Sequence, residues 1–362
     1  MTNVADVVRA MQTIAPTQFA ASWDNVGLIV GDEASPVTRV LLAIDCTHAV
    51  LEEARREGCE AMVSYHPPIF SPEKRFTAGS IAFEAARANI AIYSPHTALD
   101  VADGGTNDVL ADAVGMTERV ALSPLASADE GVKLVTFVPE EHVDAVGRAL
   151  FAAGAGSIGA YSSCSFRSIG TGTFFGEEGA SPVVGQAGRL EEVAEVRLET
   201  LVPVGHVAAV VRALRAAHPY EEPAFDLVRL ATPNARGMGR VGRVESAPVS
   251  GLVGRIKESL GLEHVLVAGP LDRTVSRVAV CAGSGGSMLS NAVERGAQLF
   301  LTGEMRHHDV LRAVRSGLSV VCTLHSASER SALGALRERL SALLPTVSVA
   351  RSVSDREPFS VH

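Results

Sequence analysis

The chain has 362 residues, 47% of them apolar, which is enough chain and enough oil for two or three cores. Aromatics make up only 5%, with one Trp and four Tyr, which argues against a stacking platform for single-stranded nucleic acid. A net charge of −9, from 41 acidic and 32 basic residues, disfavours non-specific binding to DNA or an anionic membrane, and no run approaches the ~18 apolar residues of a membrane span.

The first residues, MTNVADVVRAMQTIAPTQFAASWDN, lack a basic segment followed by an apolar one. They read as an amphipathic helix rather than a secretory signal. SWDNVGLIVG, with Trp23, Asp24 and Asn25, reads as a turn into a strand; the Trp either walls a pocket or plugs the core. Next come VTRVLLAIDCT (strand), HAVLEEARREG (helix), CEAMVSYHP (strand), SIAFEAARANI (helix) and AIYSPHTALD (strand). Such alternation implies βαβ units and parallel strands. The same grammar returns after residue 275 and closes on a long helix, SASERSALGALRERLSALL.

The middle differs. Val-Pro-x-x-His-Val occurs at Val138, Pro139, His142 and Val143, and again at Val202, Pro203, His206 and Val207, each time between a strand and a helix. With SSCSFRSIGTGTFFG between them and PAFDLVRL after, the order is β-α-β-β-α-β, that of a ferredoxin-like unit. The expected fold is therefore α/β. Residues 1–128 and 234–362 form a discontinuous α/β domain whose sheet contains parallel strands, and 129–233 an inserted ferredoxin-like α+β domain.

Five scattered Cys, none in a C-x-x-C, exclude a zinc knuckle or disulfide framework and fit reduced thiols in a cytoplasmic protein. Chemistry concentrates at strand ends, where open α/β sheets place ligands. SYHPPIF puts Tyr65 and His66 there, with Pro67 and Pro68 restricting the loop; a surface His in a Pro turn has the same signature. SPHTALD carries His96 and Asp100, the latter equally suited to a cap or turn, and DGGTND follows with Asn107. TLHSASER sets His325 and Glu329 at i and i+4 on one side of a first helical turn; an accidental surface pair gives the same spacing. Imidazole with carboxylate suits Zn, Mn or Fe. TGEMRHH adds Glu304, His307 and His308, more suited to substrate contact than to ligation. CAGSGGS is a glycine turn that either cradles a phosphate or simply turns, and HPYEEP, with His218, reads as a polar turn.

Taken together, SWDNVGLIVG, SYHPPIF, SPHTALD with DGGTND, GSGGS, TGEMRHH and the H-x-x-x-E of His325 and Glu329 resemble the GTP cyclohydrolase 1 type 2 homologues, the NGG-one-interacting-factor-three-like family. The likeness covers nearly the whole chain, including an insert similar to the CutA-type insert of longer members. It implies a toroidal homohexamer with two divalent metal ions per chain, and ligand roles for His66, Asp100, His325 and Glu329. Many members have His-His-Pro where this chain has Tyr65-His66-Pro67, so the second ion is expected to be weak or absent, held through the Tyr65 phenol or by water. The family name implies attack of water on C8 of GTP with release of formate.

The expected function is a metal-dependent hydrolase acting on a nucleotide or related heterocycle. His96 and His308 are the side chains expected to handle protons or contact substrate, and Lys74, Arg75 or Arg306 could supply a basic pocket. The alternative is a non-catalytic metal- or ligand-binding ring that recruits a partner protein.

Overall fold

The computed structural model describes residues 2–125, 131–177, 179, 182–230 and 236–360. The elements run α1 (Val4–Ile14), β1 (Gly27–Val30), β2 (Arg39–Ala43), α2 (His48–Arg56), β3 (Ala61–Ser64), α3 (Ile81–Arg87), β4 (Ala91–Ser94), α4 (His96–Val101), α5 (Thr106–Ala113) and β5 (Thr117–Pro124). Then come β6 (Gly131–Val138), α6 (Val143–Ala152), β7 (Ser165–Phe175), β8 (Leu190–Pro203), α7 (Val207–Ala217) and β9 (Phe225–Arg229). The rest is β10 (Gly237–Pro248), α8 (Val249–Leu260), β11 (Leu266–Ala268), β12 (Thr274–Ser284), α9 (Leu289–Glu294), β13 (Leu299–Glu304), α10 (His307–Arg315), β14 (Ser319–Cys322), α11 (His325–Arg330), α12 (Ala332–Leu343) and β15 (Ser348–Arg351).

Packing divides the chain into two compact units, Met1–Leu125 with Ala235–His362, and Ala126–Asn234. The domain boundaries expected at 128/129 and 233/234 lie outside the described residues. The first unit is mixed α/β with two sheets. One runs β1-β4-β3-β2-β15, parallel except for β1. The other runs β11-β14-β13-β12-β10-β5, with β12, β13 and β14 parallel and the outer pairings antiparallel.

Strands β3, β4 and β14 are buried along their whole length, as continuous apolar runs must be when helices cover both sheet faces. In the first sheet Val40, Leu42 and Val63 pack with α1 and α12, while Leu41, Met62 and Ile92 pack with α2 and α3. In the second, Val278, Val280 and Leu301 pack with α5 and α8, while Phe300 and Val320 pack with α9 and α10. Arg240 of β10 and Asp108 of α5 form a buried ion pair with Nε–Oδ1 at 2.7 Å.

The second unit has the element order β-α-β-β-α-β and an antiparallel sheet in the order β7-β8-β6-β9. Its core is Leu134, Val146, Leu150, Leu198, Val210 and Leu214, from β6 and α6 of the first half and β8 and α7 of the second.

Two elements differ from expectation. The strand expected to run to Asp100 stops at Ser94, and α4 begins at His96, so Asp100 is helical. Pro95 cannot donate to a ladder and suits the first residues of a helix. The long helix expected from Ser326 is two helices that meet at Ser331. Among the described residues no helix is long and apolar enough to cross a membrane.

Candidate metal centre

Beyond β3 the chain stays in register for two more residues. Tyr65 N–H donates to Ala43 O and His66 N–H to Ile44 O, both at 2.9 Å. Pro67 and Pro68 then prevent any further ladder. Beyond β14, Thr323 N–H still donates to Thr302 O at 3.0 Å. Leu324 follows with φ 76 and ψ 153, a region essentially reserved for glycine that costs about 1–3 kcal/mol elsewhere. That turn starts α11 at His325 and brings Glu329 one turn later onto the same side. Gly283 (φ 65) lines the approach: a Cβ there would lie 2.8 Å from Glu329 Oε1 and 3.4 Å from His325 Nε2, so only glycine leaves the room.

These turns bring His66, His325 and Glu329 together, with one ligand-type atom from each within 4.8 Å of the others. His325 Nε2 is 3.3 Å from Glu329 Oε1, and His66 Nε2 is 3.5 Å from Glu329 Oε2. Glu329 is buried, and its Oε2 makes no hydrogen bond. The far nitrogens are both held by carboxylates: His66 Nδ1 is 2.9 Å from Asp45 Oδ1, and His325 Nδ1 is 3.0 Å from Glu304 Oε1. Once the ring gives up its second proton, a carboxylate on Nδ1 fixes the tautomer that leaves the Nε2 lone pair available.

Burial opposes charge on His66, yet Asp45 and Glu329 push its pKa up to about 10. Glu329, against burial, and then Glu304 push His325 to about 9. Burial also opposes the charge of Glu329, and the two imidazoles hold its carboxyl below the usual range. Burial raises Asp100 to about 6, although the Tyr65 hydroxyl, which donates to Asp100 Oδ1, works the other way. Tyr65 is itself buried, and its phenol pKa lies well above normal, first through burial and then through the Asp100 charge.

A second knot adjoins the first. His96, at φ 27, has its ring centroid 5.3 Å from that of His66 and its Nδ1 2.7 Å from Asp24 Oδ1. Asp24 also accepts from the backbone N–H and hydroxyl of Thr97. Asn107, on α5, accepts from Ala282 N–H at 2.9 Å and donates to Asp100 O at 3.0 Å, tying the end of β12 to α4.

Of the residues singled out in the sequence, the fold thus gathers His66, His325 and Glu329 closely. Asp100 and Tyr65 pair with each other outside that close group. His96 stands beside His66, whereas His308 is exposed at the start of α10 with its ring 5.4 Å from His307. Lys74, Arg75 and Arg306 are exposed. His218 is buried and engaged on both nitrogens, by Phe137 O and the Tyr220 N–H, so its place is structural. Asp45 was not foreseen; it follows directly on an apolar strand, the same signal that marks His66.

The residues present suit a divalent cation. Two oriented imidazoles and a buried carboxylate with an oxygen lacking any hydrogen bond form a nitrogen–oxygen donor set, and a cradle glycine keeps it open.

A chain of this architecture, with a cluster at the carboxyl ends of parallel strands in two sheets, matches the profile of Duf34/NIF3 (NGG1p interacting factor 3) over residues 2–358. It belongs to that family. It is 37% identical to the GTP cyclohydrolase 1 type 2 homolog of Halalkalibacterium halodurans over 369 aligned positions, 99% of this chain and 98% of that one. It is 38% identical to the protein of the same name from Mycobacterium tuberculosis, covering 95% and 93% of the two chains. Among solved structures it resembles a Bacillus cereus protein related to NIF3, with TM-score 0.69, 34% identity, and 100% and 99% of the two chains covered.

Proposed function

We propose that this chain holds a divalent ion (Zn, Mn or Fe) between His66, His325 and Glu329, and that the centre hydrolyses a nucleotide or related heterocycle. One observation carries the reading. The buried Glu329 Oε2 has no hydrogen bond, and the two Nε2 atoms facing this carboxylate belong to rings whose Nδ1 is held by Asp45 or Glu304. A bound divalent ion would supply Lewis acidity and lower the pKa of water.

The chain's own residues do the rest. Asp45 and Glu304 orient the imidazoles, and Asp24 holds His96 by Nδ1, leaving Nε2 to take or give a proton beside His66. Asp100 is the remaining candidate ligand for a second ion. Because the Tyr65 hydroxyl donates to Asp100 and the phenol resists ionisation, that ion is the weaker of the two.

The name carried by the H. halodurans and M. tuberculosis relatives supports GTP as the first substrate to try. The five free thiols suit a reducing, cytoplasmic setting.

The test is metal analysis of the purified protein, then formate release from GTP beside a panel of other nucleotides. Asp45→Asn is expected to lower metal affinity by about 10–100-fold without unfolding the chain. No bound metal in the parent would overturn the reading. Bound metal with no turnover on any nucleotide would favour a binding ring instead.

That second reading has its own support. Strand β7 is a sheet edge with Phe166, Ile169 and Phe175 exposed, and such edges gather other chains. We read residues 129–233 as an inserted ferredoxin-like, CutA-like domain whose edge helps assemble a homohexamer; the β-α-β-β-α-β order supports this.

A further inference from the structure

The chain's single tryptophan is exposed. Trp23 is 62% accessible and Phe70 is 58% accessible, although both are large apolar rings on the rim of a half-buried polar cluster. Their centroids are 5.9 Å apart with the planes tilted by 53°. His96 lies beneath both, edge-on, at 6.0 Å from Trp23 and 6.4 Å from Phe70. From His96 the next ring is His66, at 5.3 Å. The rings therefore run without a break from solvent to the candidate cation site.

The rim is held firmly. Asp24, next to Trp23, takes His96 Nδ1, Thr97 N–H and the Thr97 hydroxyl. Asn25 Nδ2 donates to Ile69 O at 2.7 Å, joining the Trp23 turn to the residue before Phe70. Ala21 N–H donates to Thr97 Oγ1 at 3.0 Å. Pro67 and Pro68 restrict the loop that carries Phe70. A wall fixed by so many hydrogen bonds has little freedom to collapse and bury its rings, so their exposure is built in.

We propose that Trp23 and Phe70 are the stacking residues for a planar heterocycle, which lies against them with a ring-edge nitrogen or oxygen directed towards His66, His325 and Glu329. An aromatic face recognises a flat π-system, and stacking of this kind tolerates different bases. His96 stands at the lower edge of the same wall, so a stacked ring meets its imidazole before it reaches the cluster. Lys74 and Arg75, exposed four and five residues beyond Phe70, give the same loop the charge to meet an anionic tail. The direction of the ligand's edge rests on the metal-centre reading above; the stacking itself does not.

Because Trp23 is the only tryptophan, its emission reports on this wall alone. The experiment titrates metal-stripped and metal-loaded protein with GTP and, separately, with ribose 5-phosphate, which has the tail but no base. GTP is expected to quench Trp23 saturably in both forms, and ribose 5-phosphate to leave it unchanged. Phe70→Ala is expected to weaken GTP binding by roughly 5-fold or more, and Phe70→Tyr to restore it. Equal quenching by both probes, or no saturable response to GTP in either form, would overturn the proposal. So would an emission shift that follows protein concentration and ignores the probe, since the wall would then be a contact between copies. Metal content, measured on the same samples, separates the two readings: bound metal with a silent Trp23 sinks the stacking wall alone, and a responding Trp23 on protein that never holds metal sinks the metal centre alone.

Discussion

Two carboxylates buried in the first unit are treated in opposite ways. Asp108 accepts from Arg240 Nε at 2.7 Å and Nη2 at 3.1 Å, and from Gly104 N–H at 2.8 Å. Arg240 spends its other donors on Gly237 O, Gly239 O and Val101 O. Glu329, just as buried, has two imidazoles at 3.3 and 3.5 Å and one oxygen with no hydrogen bond. The first is a closed circuit that fastens β10 to α5 and α4. The second is open, and an open buried carboxylate is tolerated where something else is meant to complete it.

The contrast can be broken by removing each charge from metal-free protein and measuring denaturant melts. Asp108→Ala leaves a buried guanidinium without its counter-charge and should cost about 3–5 kcal/mol, with metal binding retained by the folded fraction. A loss under about 1 kcal/mol would mean that water or the backbone carbonyls already satisfy Arg240.

Glu53 is an intermediate case that sharpens the comparison, because neutral donors alone satisfy it. Burial opposes its charge, but the Ser352 hydroxyl and the N–H groups of Val353 and Ser354 hold its pKa at about 2. Its folded pKa lies below the unfolded value of about 4.3, so its stabilisation is complete above that value. It fades as pH falls from there towards 2. Glu53→Gln should therefore lower stability at neutral pH by about 1–3 kcal/mol and flatten the acid limb of the stability curve. An acid limb unchanged by the substitution would remove Glu53 as its cause.

The smallest effect is expected at Glu329. In metal-free protein above about pH 10, where both imidazoles have lost their charge, Glu329→Gln should cost about 1 kcal/mol or less, while abolishing metal uptake. A loss as large as that for Asp108→Ala would make Glu329 a structural charge and end the contrast.

How much of this was legible in the sequence depended on how each residue advertises itself. His66 and His325 each follow an apolar run, and such runs mark strand ends whether or not the fold is known. Asp45 sends the same signal from LLAID but sits among a strand's residues rather than in a loop motif, so it passed as part of the strand. The helix carrying Asp100 was hidden because AIYSPHTALD is apolar throughout, and period alone cannot divide a buried strand from a short buried helix. Strand β10, GMGRVGRVESAP, breaks alternation with glycines and a buried Arg240 whose partner is 132 positions away; only the folded ion pair explains an arginine at a core position. Asn107 gave a weak sign because its role is to bridge two backbones, which leaves no pattern along the chain.

The pairing of β15 with β2 sets the order in which the chain can fold. Strand β15 lies parallel beside β2 and is followed by Asp355, whose carboxylate caps Ile44 N–H at 2.7 Å beyond the end of β2. On the ribosome, the first sheet therefore waits with an open flank until residues 348–351 have emerged. Strands β6 to β9 pair, among the described residues, with one another, so they need no later segment to close their sheet. The nascent chain is thus expected to complete its middle before its beginning, and the unfinished edge of β2 is the surface a chaperone would have to shield in the interval.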